Sequence, residues 1–372
     1  MSYFPPIGGD GTWDTVSAEA AGLNPAALTD AVTFAENAET SWPRDLDRAE
    51  FLPSLTQFEP PPWNEIIGPV VARGGPAGLF IRAGRVAAHW GDPGRADMTF
   101  SIAKSYLAIL TGLAIGEGLI SDLDDTVAKY VNSDLFSSDQ NAAITWRHLL
   151  NQTSEWEGTL FGKPDQIDHF RELGDDGDHS KKGQKRSLEQ PGTYWEYNDV
   201  RVNALSLALL HVFRRPLPEV LRDSIMAPIG ASDSWRWMGY RNSQVLIDGV
   251  EMTSVPGGTH WGGGMQISSY DHARFGLMIK EDGVWDGRRI LPEGWVSELR
   301  TPCALNPVYG YLWWLNTDRA QYPSAPETSF FAMGAGTNLI WIDQELDILA
   351  VFRWVDQASV DAVISGFMAA LD

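Results

Sequence analysis

Cysteine is almost absent from this chain of 372 residues, because Cys303 is the only one. No disulfide can form within the chain, so a fold stapled by disulfides is excluded. This cysteine usage is typical of the reducing cytoplasm, which is the location we expect. The first residues contain neither the basic stretch nor the apolar stretch of a signal peptide, which favours the same location.

Positive charge is also scarce, with 28 Lys and Arg against 49 Asp and Glu and a formal net charge of -21. The sequence has no long run of Lys or Arg that would bind a phosphate backbone, so we expect no nucleic-acid partner. It also lacks an apolar run long enough to cross a bilayer, so we expect no membrane partner. A small molecule is then the expected ligand.

Strand-like patterns occur early and late in the sequence, with helical patterns between them. Residues 77–91 read as two strands around a turn at Ala83-Gly84, and a second hairpin is predicted near the end of the chain. The order predicts an α+β fold with an antiparallel sheet. We expect a body formed by residues 1–100 and 250–372, a mainly helical region over residues 101–249, and an active site between the two.

The segment MTFSIAKSYLAIL, which starts at Met98, places Ser101 three residues before Lys104. Residues at this spacing share one face of a helix. A serine hydroxyl becomes a nucleophile when a neighbouring base takes its proton. We predict that the apolar helix and the positive end of its dipole lower the pKa of Lys104, so that the amine acts as this base. The N–H groups at the helix start would hold an oxyanion.

The plainer interpretation is that Ser101 caps the helix and Lys104 is solvated in its first turn. Two observations favour a reaction centre instead. This is the only S-x-x-K in the sequence, and it lies between a predicted hairpin and a helix that is apolar nearly all round.

The segments around this motif resemble those of the serine hydrolases related to class C β-lactamases and penicillin-binding proteins. That superfamily includes esterases, D-aminopeptidases and 6-aminohexanoate-dimer hydrolases. The resemblance implies a β-lactamase-like fold, an antiparallel sheet flanked by helices. It also implies acylation of Ser101 with the help of Lys104 and without a cofactor or metal.

A second family motif, Tyr-x-Asn, is matched by the segment PGTYWEYNDVRV. The resemblance places Tyr197 in the position of the catalytic tyrosine, where a phenol shuttles a proton. Asp199 then stands where asparagine is usual, and its role is open. Tyr194 is the competing tyrosine, although its spacing fits less well.

The third family motif, Lys-Thr-Gly or His-x-Gly, is replaced by Ala332-Met333-Gly334. No cation remains there to hold the carboxylate of a β-lactam. The resemblance implies that Gly334 and Ala335 border the site and that the Ala335 N–H is the second oxyanion donor beside that of Ser101. Trp261, in a glycine-rich segment, is expected to line the pocket.

These features predict a serine hydrolase that cleaves a small amide or ester through an acyl-enzyme on Ser101. The cleavage of β-lactams or cell-wall peptides is less expected, because the third motif lacks its cation. An acyltransferase of the same fold and a non-catalytic binding protein remain alternatives. A metal hydrolase built on residues 175–180 and His169 lacks any recognised ligand spacing, and a solvated loop explains those residues better.

Overall fold

The structure is a computed structural model, and it describes residues 2–7, 13–48, 59, 61–173 and 177–371. Asp175 and Asp176, which were considered as metal ligands, lie outside the described residues. None of the helices in the described ranges combines the length and the apolarity needed to span a bilayer.

The strands are β1 (Ala77–Arg82), β2 (Arg85–Trp90), β3 (Asp97–Met98), β4 (Thr159–Leu160), β5 (Lys163–Pro164), β6 (Arg236–Met238), β7 (Gln244–Ile247), β8 (Val250–Thr253), β9 (Gly264–Ile267), β10 (Val284–Trp285), β11 (Arg288–Arg289), β12 (Trp314–Leu315), β13 (Phe330–Gly334), β14 (Asn338–Asp343) and β15 (Ile348–Arg353). The α-helices are α1 (Pro25–Asn37), α2 (Ile102–Gly116), α3 (Asp139–Ala142), α4 (Trp146–Leu150), α5 (Asp199–Phe213), α6 (Leu217–Leu221), α7 (Ser269–Lys280), α8 (Trp295–Leu299) and α9 (Val360–Ala369). Short 3₁₀ helices include Asp165–Asp168 and His179–Lys181, and a π-helical turn spans Arg222–Met226.

A six-stranded antiparallel sheet runs in the order β12-β13-β14-β15-β1-β2. β1 pairs with β15, with Phe80 opposite Ala350, so strands from early and late parts of the chain meet inside the sheet. The turn between β1 and β2 has φ of 48° at Ala83 and 77° at Gly84, and positive values at both positions are what a type I′ hairpin turn requires. The predicted antiparallel α+β fold is confirmed.

Helix α2 is central, because every residue from Ile102 to Ala114 is buried. It packs against β13, β14 and α5, which explains why its sequence is apolar nearly all round. Its first turn lies against the end of β13, where an added Cβ on Gly334 would come within 2.2 Å of Thr99 O. Ser101 is therefore held between the sheet and α5.

A second, three-stranded sheet in the order β3-β9-β6 supports the segment before Ser101. The buried Arg353 of β15 joins the two sheets, because its guanidinium donates to Met98 O and Ile267 O, both at 3.0 Å. Burial lowers the pKa of Arg353 to about 10. Strands β7 and β8 form a separate hairpin, and the expected boundary between residues 249 and 250 lies in its turn.

Candidate active site

Ser101 and Lys104 are in direct contact at the start of α2. Lys104 Nζ donates a hydrogen bond to Ser101 Oγ at 2.8 Å, and the lysine side chain is only 2% exposed. Among the described residues, Ser101 Oγ caps no backbone N–H of the helix. Neither feature of the plainer interpretation is found: Ser101 occupies the N-cap position but its hydroxyl makes no capping hydrogen bond to the described helix, and Lys104 is not solvated.

The backbone before Ser101 is unusual. Phe100 has φ of 50°, a left-handed conformation that bulky residues rarely adopt and that costs ~1–3 kcal/mol. The Phe100 ring packs edge-on against Trp42 and Trp354, with centroids 5.4 and 6.1 Å apart. This packing holds the sharp change of direction that lets the chain leave β3 and enter α2 at Ser101.

The charge state of Lys104 differs from the prediction. Burial acts to lower the pKa of Lys104, but the charge and hydrogen bonding of Asp199 act against burial, and the pKa is raised. Asp199 Oδ1 forms an ion pair with Lys104 Nζ. The prediction of a lowered pKa was wrong because it included the helix and its dipole but not a carboxylate brought in by α5. In the resting protein, Lys104 is an ammonium at neutral pH.

Asp199 takes its place because α5 begins there. Asn198 is the N-cap of α5, and its side chain accepts a hydrogen bond from the Arg201 N–H at 3.1 Å. A second cation binds the same carboxylate, because Arg171 Nη1 donates a hydrogen bond to Asp199 Oδ2 at 2.6 Å. Burial alone would raise the pKa of Asp199, but Lys104 and Arg171 hold it far below its usual range. Asp199 is therefore ionised and shared by two cations.

The structure distinguishes the two candidate tyrosines. Tyr197 lines the same pocket as Ser101, and Lys104 Nζ lies 4.8 Å from the centroid of its ring. The ring stacks on Trp314, with centroids 5.8 Å apart. Tyr194 instead lies under Arg186, 4.2 Å from the guanidinium, and is not part of the pocket wall. Of these two tyrosines, Tyr197 is therefore the one near Ser101 and Lys104.

The end of β13 borders Ser101, as expected for the strand of the third motif. Gly334 and Ala335 both line the pocket, and an added Cβ on Gly334 would lie 3.2 Å from the Ser101 nitrogen. Asn338 Nδ2 donates to Ala335 O at 2.7 Å and Arg353 Nε donates to Asn338 Oδ1 at 2.6 Å. Arg353 thus fixes both the turn that contains Ala335 and the segment before Ser101.

We expect Gly334→Ala to impair both stability and activity. The new methyl group would meet the backbone oxygen of Thr99, which cannot move without shifting Ser101. Overpacking of this kind costs about 1–3 kcal/mol. Thermal unfolding and ester hydrolysis measure the two effects. Gly118→Ala is the control for adding a methyl group, because nothing lies within 4 Å of its added Cβ, although its φ of 70° adds backbone strain. Full activity in Gly334→Ala would contradict the close packing described here.

A pocket of about 910 Å³ opens beside Ser101. Its aromatic and apolar lining residues are Trp42, Leu173, Tyr197, Trp314, Tyr322, Met333, Ala335 and Leu339, and polar residues make up most of the rest. Such a lining suits the uncharged part of a small molecule.

Trp261 does not line this pocket, contrary to expectation. It is fully buried, and its Nε1 donates to Glu59 Oε2 at 2.7 Å. Among the described residues, Glu59, Asp168 and His260 bring three ligand atoms within 4.8 Å of one another, which is close enough to hold a metal ion. The ammonium of Lys182 already lies 2.9 Å from Glu59 and 3.3 Å from Asp168, so these carboxylates hold a lysine.

The other proposed metal ligands have local partners. His169 Nε2 contacts Asp165 Oδ2 at 3.0 Å. Asp178 accepts a hydrogen bond from the Ser180 N–H at 3.0 Å. The described part of this segment is a hydrogen-bonded loop.

Comparison with protein families matches residues 65–360 to the family model for beta-lactamase. The match covers most of the chain. The chain belongs to the beta-lactamase family.

Similar solved structures include the putative 6-aminohexanoate-dimer hydrolase from Bacillus anthracis, with 16% identity over 78% of this chain and 77% of that one and a TM-score of 0.54. EstCE1, a hydrolase with promiscuous acyltransferase activity, shares 16% identity over 93% and 98% of the two chains, with a TM-score of 0.58. A D-stereospecific amidohydrolase from Streptomyces sp. shares 17% identity over 78% and 93%, with a TM-score of 0.52. A comparison with curated protein sequences found no match to this chain.

This member of the beta-lactamase family departs from the motif of the strand that borders the site. Met333 and Gly334 reach the pocket, but no lysine or histidine stands at Ala332-Met333-Gly334. Arg171 is the only lysine or arginine among the described lining residues, and it is bonded to Asp199. The strand thus offers no charge to an anionic substrate.

Two site residues were not found from the sequence. Gly258 faces the centre, since an added Cβ would lie 3.2 Å from Lys104 Nζ and 3.6 Å from Ser101 Oγ. Arg171 begins the charged segment 171–192, which reads as a solvated loop. A single glycine or arginine in such segments carries no pattern that marks it as functional.

Proposed function

We propose that this chain is a serine hydrolase that cleaves a small, uncharged amide or ester through an acyl-enzyme on Ser101. The observation that carries the proposal is the 2.8 Å hydrogen bond between Lys104 Nζ and Ser101 Oγ at the wall of a pocket. A buried lysine bound to a serine hydroxyl at a pocket is typical of an activated nucleophile.

Acylation in this proposal starts from the fraction of Lys104 that has lost its proton. The neutral amine accepts the proton of Ser101 while Oγ bonds to the substrate carbonyl carbon. The N–H groups of Ser101 and Ala335 stabilise the negative oxygen that develops. As the bond to the leaving group breaks, Tyr197 donates its proton to that group and regains one from Lys104. Water then releases the acid and restores Ser101.

The nature of the pocket supports an uncharged substrate. Its walls include two tryptophans and two tyrosines among polar residues, Glu172 and Asp356 would repel an anion, and β13 lacks a cation for a carboxylate. The names of the similar structures, a D-stereospecific amidohydrolase, a putative 6-aminohexanoate-dimer hydrolase and a hydrolase with promiscuous acyltransferase activity, support an acyl substrate of the amide or ester type. The last of these also supports testing acyl transfer to an added alcohol.

A substrate panel tests the proposal. It contains p-nitrophenyl esters with phenylacetyl, butyryl and succinyl groups, aryl amides, D-amino-acid amides and a cephalosporin. We expect phenylacetyl and butyryl esters to exceed the succinyl ester in kcat/KM by at least roughly tenfold, because the site would bury an unpaired carboxylate. Faster turnover of the cephalosporin or of the succinyl ester would contradict an uncharged substrate.

A fluorophosphonate probe with peptide mapping tests the nucleophile independently of the substrate. Labelling at Ser101 in the folded protein is expected. A folded wild-type protein that remains unlabelled would favour a binding protein without catalysis.

A further inference from the structure

The carboxylate of Asp199 binds two cations at once. Lys104 Nζ contacts Oδ1, and Arg171 Nη1 lies 2.6 Å from Oδ2. All three side chains are nearly inaccessible, with exposed fractions of 2%, 6% and 5% for Lys104, Asp199 and Arg171. Arg171 also lies 3.4 Å from Asp168 Oδ1 and 5.2 Å from the ring centroid of Tyr197. The contacts thus run in the order Ser101, Lys104, Asp199 and Arg171, so Arg171 reaches Lys104 only through Asp199.

Without a second cation, this arrangement would oppose catalysis. A lone buried aspartate beside Lys104 would bind its ammonium so strongly that the neutral amine would be rare. The amine must nevertheless be neutral to accept the serine proton. The carboxylate is useful only if it orients Lys104 while another charge balances its own.

We infer that Arg171 is a positioning residue of the catalytic centre: its guanidinium shares Asp199 with Lys104, so that the carboxylate orients the amine without holding its proton permanently. The inference rests on the proposed function, since it concerns the base in that reaction. Arg171 does not touch the substrate in this role and acts through Asp199.

The electrostatics agree with this geometry. The charge of Arg171 acts to lower the pKa of Lys104. Burial acts against the charge of Arg171, but Asp199 and Asp168 outweigh burial and raise its pKa, so the guanidinium stays charged while Lys104 titrates. Among the described residues, the charged and titratable groups around the pair are Tyr197, Asp168, Lys182, Glu59, His260, Tyr240 and Tyr309.

These neighbours do not replace Arg171. Lys182 is bound to Glu59 and Asp168, and His260 contacts Glu59 and lies 4.0 Å from Asp199. Among the described residues, removal of Arg171 leaves Lys104 and Lys182 as the lysine or arginine side chains in ion pairs with Asp199, Asp168 and Glu59.

The test measures how the rate of Ser101 labelling by a fluorophosphonate depends on pH, since this readout needs no known substrate. The variants are Arg171→Gln, Asp199→Asn and the double variant. In Arg171→Gln, we expect the rising limb of the profile to move to higher pH by about one unit or more. The Asp199 carboxylate then has no second cation and favours the protonated form of Lys104 more strongly. In Asp199→Asn, the limb should move to lower pH. The double variant removes both charges, and its limb should return towards the wild-type position.

Arg186→Gln is the matched control. Arg186 belongs to the same segment, is nearly buried and also bridges two carboxylates, Glu155 and Glu196, but it does not contact Asp199. We expect this variant to lower the melting temperature and leave the limb in place. A merely structural Arg171 would give lower labelling at every pH with an unmoved limb and no recovery in the double variant, which would overturn the inference. If wild-type Ser101 itself is not labelled, the proposed function fails, and this result is distinct from an unmoved limb.

Discussion

Replacing Ser101 by alanine is expected to abolish turnover of every substrate in the panel while the fold remains intact. Loss of a nucleophile that forms the covalent intermediate costs roughly 10⁶-fold in rate. The change deletes one oxygen at a pocket wall, and the hydroxyl caps no described helix N–H, so the backbone of α2 keeps its hydrogen bonds. Initial rates, the melting temperature and probe labelling measure the outcome.

Ser105→Ala is the matched control for this prediction. Ser105 lies one turn further into α2, is buried, and donates to Leu312 O at 2.8 Å, so it is close in sequence but outside the pocket. Its loss should cost about 1 kcal/mol of stability and leave activity near the wild-type value. Residual activity in Ser101→Ala that exceeds a contaminant level would place the nucleophile elsewhere.

Replacing Lys104 by methionine is expected to lower kcat/KM by about 10²–10⁴-fold, the usual contribution of a general base. Methionine preserves an unbranched apolar side chain in this buried position, so the loss reports the amine and not the packing. Removal of the amine also leaves Asp199 with Arg171 as its cation, and this pair remains neutral.

The pH dependence provides a second readout of Lys104. Its pKa is raised, so the protonated form dominates below that pKa and cannot accept the serine proton, whereas the neutral form grows above it. Activity of the wild type should therefore keep rising with pH through the alkaline range, and Lys104→Met should lose this limb. Lys129→Met, at an exposed lysine paired with Asp125, is the control and should retain the limb. A wild-type profile that is flat above neutral pH, or a Lys104→Met enzyme with more than a tenth of the activity, would contradict the role of Lys104.

Much of the fold is encoded in local patterns. The hairpin turn at Ala83-Gly84 needs two residues with positive φ, and the apolar surface of α2 requires burial on all sides. The proximity of Ser101 and Lys104 could also be predicted, because their spacing alone places both residues on one face of a helix. Such features depend on neighbours within a few residues.

The features that sequence reasoning missed depend on distant parts of the chain. The pKa of Lys104 is set by Asp199 on another helix, and the effect of Asp199 is in turn modified by Arg171 from a loop. Trp261 was expected at the pocket because it begins a glycine-rich segment, but its indole N–H donates to Glu59 in the interior. The left-handed Phe100 depends on the packing of Trp42 and Trp354. No local pattern contains these partners.

The position of β15 between β14 and β1 has a consequence for biosynthesis. The ribosome completes Ser101 and Lys104 first, and Gly334, Ala335 and Arg353, which shape and brace the other side of the pocket, follow 230 or more residues later. The growing polypeptide thus carries its nucleophile without the strand that borders it. If Ser101 is the nucleophile proposed above, we expect it to become reactive only after these later strands have docked beside it.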